Sequence, residues 1–194
     1  MFIQTQATPN PETLKFIPGQ SVSPATSYEF TSAEEATASP LASALFGLKG
    51  VKGVFLGDDF IAITKTPDLD WSHLKPLALA AIMDHFVSGA PVMADGHGQL
   101  LEESEAADEV VYEGETAEIV AEIKELIATR VRPAVAQDGG DIIFKHFDSE
   151  TGIVQLTMRG ACSGCPSSTA TLKQGVENLL RHYVPEVTAV EAAA

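Results

Sequence analysis

Hydrophobic positions along this chain switch between a period of two and a period near four, and each switch marks an element. In the first half, Met1 to Ala7 and Thr13 to Ile17 read as short strands separated by turn chemistry at Pro9-Asn10-Pro11. Ser39-Pro40 supplies an N-cap followed by Pro at the first helical position, and Leu41, Leu45 and Leu48 follow at helical spacing until Gly47 and Gly50. Val51 to Leu56 and Phe60 to Thr64 flank Gly57-Asp58-Asp59, which predicts a hairpin. Trp71, Leu74, Ala78, Ile82 and Phe86 share one face of a helix that stops at Gly89, and Pro76 fits that helix in or near its first turn. The pattern is ββαββα, with the helices covering one face of a sheet.

The second half repeats the logic with different elements. Ile119, Ile123, Ile127 and Val131 predict an amphipathic helix from about Thr116, closed by Pro133 and Gly139-Gly140. Ile142 to Phe147 and Ile153 to Arg159 read as strands around a turn at Asp148 to Gly152; Val154, Leu156 and Met158 fall on one face of the second strand. A last helix begins at Pro166, buries Leu172, Val176, Leu179 and Tyr183, and is stopped by Pro185; Val187 to Val190 adds a third strand. This is αββα with a third strand, so the fold class is α+β, built as two small two-layer domains. The stretch between them has little periodicity. The expected division is a domain at 1–93, a flexible linker at 94–115 and a domain at 116–194.

Charge sharpens the division. The chain carries 12 basic and 27 acidic residues, a net of −15. Residues 94–115 alone hold eight acidic residues and no Lys or Arg. Such a balance argues against a nucleic-acid backbone as partner, which needs clustered cations; the surplus is read as serving solubility. No apolar run approaches membrane-spanning length. The opening Met1-Phe2-Ile3-Gln4-Thr5-Gln6 is neither a secretory signal nor an Arg-rich transit peptide. Two cysteines cannot build a disulfide framework, which fits a reducing, cytosol-like compartment.

Those two cysteines are the main chemical signal. Cys162 and Cys165 sit three apart in Arg159-Gly160-Ala161-Cys162-Ser163-Gly164-Cys165-Pro166-Ser167-Ser168, between a strand end and a helix start. With Pro166 at the first helical position, Cys165 is the expected N-cap, where open backbone N–H groups and the helix dipole favour a thiolate. Ser167 and Ser168 add donors to sulfur, and Gly160 and Gly164 let the backbone approach it. The Gly, Ser and Pro neighbours describe an exposed loop rather than a core, which disfavours an inert buried pair. Three readings stay open from spacing alone. Two chains could share one [4Fe–4S] cluster through four thiolates. The pair could be a dithiol–disulfide redox centre, or two chains could share a structural zinc. The preceding hairpin strand is a poor match to the βαβ setting of a thioredoxin-type site.

Other candidates are weaker. None of His73, His85, His97, His146 and His182 forms a metal-spaced pair, though His146 could approach the cysteines in space. Asp138 and Asp141 read as turn residues around two glycines. Arg159 either ends a strand in solvent or balances thiolate charge. Gly96-His97-Gly98 lacks the third glycine of a dinucleotide loop, and no phosphate-loop lysine motif occurs.

The segment Gln137-Asp138-Gly139-Gly140-Asp141 followed by the cysteine loop resembles the C-terminal NifU-like domain of the Nfu iron–sulfur carriers. Thr8-Pro9-Asn10-Pro11-Glu12-Thr13-Leu14-Lys15-Phe16 is similar to the opening of the Nfu N-terminal domain, as are Gly53-Val54-Phe55 with Asp59-Phe60, and His85-Phe86 with Gly89-Ala90-Pro91-Val92. The likeness spans nearly the whole chain except the acidic stretch. It implies a carrier, not an enzyme, that receives a [4Fe–4S] cluster from an upstream scaffold and passes it to apo-proteins. Cys162 and Cys165 match the cluster ligands, one cluster being held per homodimer, with a monomer when empty. The N-terminal domain is implied to recognise clients. The expected location is a bacterial cytoplasm, or the mitochondrial matrix if a transit peptide has been removed. The alternative reading is a thiol–disulfide oxidoreductase.

Overall fold

The computed structural model describes residues 2–24, 26–94, 110–162 and 166–193, with the side chains of 166–169 left undescribed. The chain divides into two compact units, Met1–Ser104 and Glu105–Ala194. The stretch 95–109, including His97 and most of the expected linker, lies outside the described residues.

The first unit is a sheet backed by two helices. Strands β1 (Gln4–Ala7), β2 (Thr13–Ile17), β3 (Tyr28–Phe30), β4 (Val51–Leu56) and β5 (Ile61–Lys65) pair antiparallel in the order β1-β2-β5-β4-β3. Leu14 and Phe16, Val54 and Leu56, and Ile61 and Ile63 alternate onto one face, as the two-residue period requires. There they meet helix α1 (Pro40–Phe46) through Leu41 and Leu45, and helix α2 (Trp71–Ser88) through Ala78 and Ile82. Helix α1 starts as expected, with Ser39 accepting the Ala42 N–H at 3.1 Å. Helix α2 ends at Gly89, whose φ of 69° is the left-handed conformation glycine adopts without penalty.

Three details depart from the sequence pattern. Strand β3 was not foreseen; three residues are too few for a period to show. Pro76 lies inside α2, past its first turn, so the Ser72 carbonyl loses its usual donor. His85 is buried on that helix, while Phe86 is only partly buried.

The second unit carries helix α3 (Gly114–Leu126), a π-turn (Ile127–Val131), helix α4 (Arg132–Gln137), strands β6 (Gly140–Asp148) and β7 (Ile153–Gly160), helix α5 (Pro166–Tyr183) and strand β8 (Ala189–Ala192). Pro133 does not close the first helix as expected. The backbone widens instead, with the Arg132 N–H bonding to the Ile127 carbonyl five residues back. The wide turn has two sources. Proline cannot donate to the carbonyl four residues earlier and crowds it. The buried positions Ile123, Ile127, Val131 and Val135 also recur strictly every four residues. In an ideal α-helix that spacing drifts about 40° per step, and one wide turn takes up the drift.

The sheet order is β6-β7-β8, with β6 and β7 antiparallel and β8 parallel to β7. Ile142, Val154, Leu156 and Val190 face the helices. Among the described side chains of α5, Val176 and Leu180 are buried, followed by Val184 just beyond its end; Tyr183, expected inside, is exposed. Tyr112, from the acidic stretch, packs on β6. Its hydroxyl lies 2.8 Å from His146 Nδ1 and accepts the Phe147 N–H at 2.9 Å. Among the described residues, no helix is long and apolar enough to cross a membrane.

Candidate functional site

One end of the β6–β7 hairpin is built largely from backbone. Gly140 and Gly160 pair in register there, followed by Asp141 and Arg159. Gly139 turns α4 into β6 with φ 81°, and its carbonyl accepts the Ala161 N–H at 3.1 Å. The chain leaving β7 therefore lies against the chain entering β6, and the next residue is Cys162. Gln137 to Asp141 and the described start of the cysteine loop, Gly160 to Cys162, thus meet in space.

Cys162 sits differently from the expectation. Its neighbours in sequence suggested an exposed loop, yet it is only 5% exposed and belongs to the hydrophobic cluster of its unit. Gly140, which enters from the neighbouring strand, lies against its thiol. Ser163, Gly164 and Cys165 lie outside the described residues, as do the side chains of Ser167 and Ser168. Helix α5 does begin at Pro166.

Asp141 is not a turn residue. Its carboxylate is buried, and it accepts from Arg132 Nε at 2.8 Å and Nη2 at 2.7 Å while also taking the Ile142 N–H at 2.8 Å. The Asp141 carboxylate raises the Arg132 pKa further, chiefly through those hydrogen bonds. This bidentate fork joins the far side of the π-turn to the strand that carries Gly140. Sequence reasoning missed the pair because nine residues and a change of element separate its members, and no periodic signal links them. Asp138, by contrast, is exposed at the end of α4.

His146 is not near Cys162. It pairs with Gln155 in register, six residues along β6 from Gly140, which is roughly 20 Å at strand rise. His182 is exposed on α5, His73 is exposed on α2, and His85 is buried in the first unit. Among the described residues, no three His, Cys, Asp or Glu side chains converge as a metal site. Arg159 faces Asp141 across the strands, with its backbone carbonyl turned towards Gly140.

The topology revises one argument. Because β8 runs parallel to β7, with α5 between them, the cysteine loop is the strand-to-helix turn of a βαβ unit. The absence of such a unit can no longer be held against a redox dithiol.

Fold and site together define a two-unit α+β protein with a Cys-x-x-Cys turn at a helix start. Residues 3–89 match the family described as "Scaffold protein Nfu/NifU N terminal", and residues 123–191 match the "NifU-like domain". The chain is 51% identical over 191 residues to "NifU-like protein 5, mitochondrial" of Arabidopsis thaliana, covering 98% of this chain and 67% of that protein. It is 50% identical over 192 residues to "NFU1 iron-sulfur cluster scaffold homolog, mitochondrial" of Homo sapiens, covering 98% of this chain and 71% of that protein. A Drosophila sechellia protein with the same description is 50% identical, and the chain spans 64% of its length. The chain belongs to the Nfu/NifU-like family.

Proposed function

We propose that this chain is an iron–sulfur cluster carrier that holds one [4Fe–4S] cluster between two copies, each contributing Cys162 and Cys165, and hands it to apo-proteins. The observation that carries the reading is the cysteine count: the chain has two, both in the turn that matches the NifU-like family. A cubane bound by four thiolates then needs a second copy. The names of the human and Drosophila relatives, which describe a cluster scaffold, support the cargo.

The cluster is cargo rather than a resident cofactor. Two thiolates per chain make a weak grip. A client with three or four preorganised cysteines replaces them one at a time, each new bond raising the effective concentration for the next. The chain carries and does not catalyse. The same reading assigns 116–194 to cluster binding, 94–115 to a linker and 1–93 to recognition of client proteins. The first unit has no cysteine, and on α2 Leu77, Met83 and Val87 are exposed, as is Phe2 near the chain start. An upstream scaffold donates the cluster, and the acidic surface disfavours nucleic acid. The setting is a reducing compartment, a bacterial cytoplasm or, as the relatives' names suggest, a mitochondrion.

Anaerobic reconstitution with iron and sulfide tests the ligands. Cys162→Ser and Cys165→Ser should each lose most bound iron and fail to activate an apo-[4Fe–4S] enzyme. Normal iron content in either variant would refute the assignment. A second reading, a thiol–disulfide oxidoreductase, is favoured by the βαβ setting of the turn. It predicts a colourless protein that reduces a model disulfide.

A further inference from the structure

Gly140 is the first residue of β6 and lies against the Cys162 thiol. A methyl group on its Cα would stand 2.9 Å from Cys162 Sγ and 2.5 Å from the Arg159 carbonyl oxygen. Both contacts are closer than real methyl groups tolerate, and the second is to backbone, which cannot rotate away. Gly140 is not among the glycines with positive φ, so space and not torsion excludes a side chain here. Its neighbours fix it in place: Gly139 takes the Ala161 N–H on one side, and Asp141 is clamped by Arg132 on the other. The Cys162 sulfur is thus seated against the Gly140 backbone, and only 5% of that residue is exposed.

A sulfur packed against that backbone, in a residue 5% exposed, offers little surface to iron held jointly with another chain. We infer that Gly140 is a positioning residue for Cys162: it provides a seat that shields the thiol in the empty chain, and Cys162 leaves that seat to take cargo. The inference rests on the proposed function for the cargo, while the seat stands on the geometry alone. Shielding protects a thiol from alkylation and oxidation between rounds of loading.

The test uses the full-length Cys165→Ser variant, in which Cys162 is the sole thiol. Iodoacetamide is attacked by the thiolate sulfur with loss of iodide, and mass spectrometry reads the adduct. The rate in native buffer should be at least about tenfold below the rate in urea, since labelling awaits local opening. Adding Gly140→Ala should unseat the sulfur and raise the native rate several-fold, with circular dichroism confirming that the fold persists. Should that variant unfold, the ratio of native to urea rates still decides. Equal native and urea rates would overturn the seat. So would a folded Gly140→Ala protein that loses thermal stability while Cys162 labels as slowly as before. Slow labelling here, together with an unsubstituted chain that never binds iron on reconstitution, would instead overturn the carrier reading and leave the seat intact.

Discussion

Replacing Arg132 with Gln tests whether the buried fork holds the cysteine end of the second unit. Asp141 has an 8% exposed side chain and accepts two guanidinium bonds of 2.8 and 2.7 Å, while Arg132 is 47% exposed. Stripping the partner from a fully buried ion contributes a loss of about 3–5 kcal/mol. Here water reaches half of the guanidinium, and Gln can restore one neutral bond. The expected loss is therefore about 1.5–2.5 kcal/mol. The assay can separate the two units. Trp71 is the sole tryptophan and lies in the first unit, so its fluorescence reports that unit, whereas far-ultraviolet circular dichroism reports both. In urea titrations Arg132→Gln should move the dichroism transition of the second unit and leave the Trp71 transition in place. A shift worth less than about 0.5 kcal/mol would show that the fork adds no more than a surface pair does. An equal shift of the Trp71 transition would show that the damage is not local.

Two further outcomes concern the first unit. His85 is buried, its Nε2 has no hydrogen-bond partner among the described residues, and burial lowers its pKa from the ordinary value of 6.5. The native state resists a proton that the unfolded chain accepts, so stability is full above pH 6.5 and falls as the pH drops below it. The Trp71 urea midpoint should decline from pH 7 to pH 5, and decline less in His85→Leu; parallel curves would contradict this. Ser39 is fully buried and caps α1 by accepting from Ala42. Ser39→Ala should lower stability by about 1–2 kcal/mol in the same fluorescence titration, and no change would refute the cap's role.

The regular elements were readable because their signals are local. Ser39-Pro40, Gly89 and Pro166 mark helix boundaries through chemistry confined to one or two residues, and β2 and β4 span the residues their sequence pattern predicts. What escaped depends on packing between distant residues. The π-turn left a trace, the strict spacing of four together with Pro133, but it reads equally as a helix stop. Tyr183 and Leu180 lie three apart on α5, and only the position of the sheet decides which is buried. The burial of Cys162 is the deepest miss. Glycine-rich sequence signals an open loop when the chain is alone, and a close approach when another backbone comes to meet it. Gly140 meets Cys162 across the hairpin, a contact that depends on strand register.

The shared-cluster claim is tested most directly by native mass spectrometry of the anaerobically reconstituted protein. The account predicts two chains carrying together about four irons and four sulfides, and single chains carrying none. A single chain enclosing a whole cubane would contradict it.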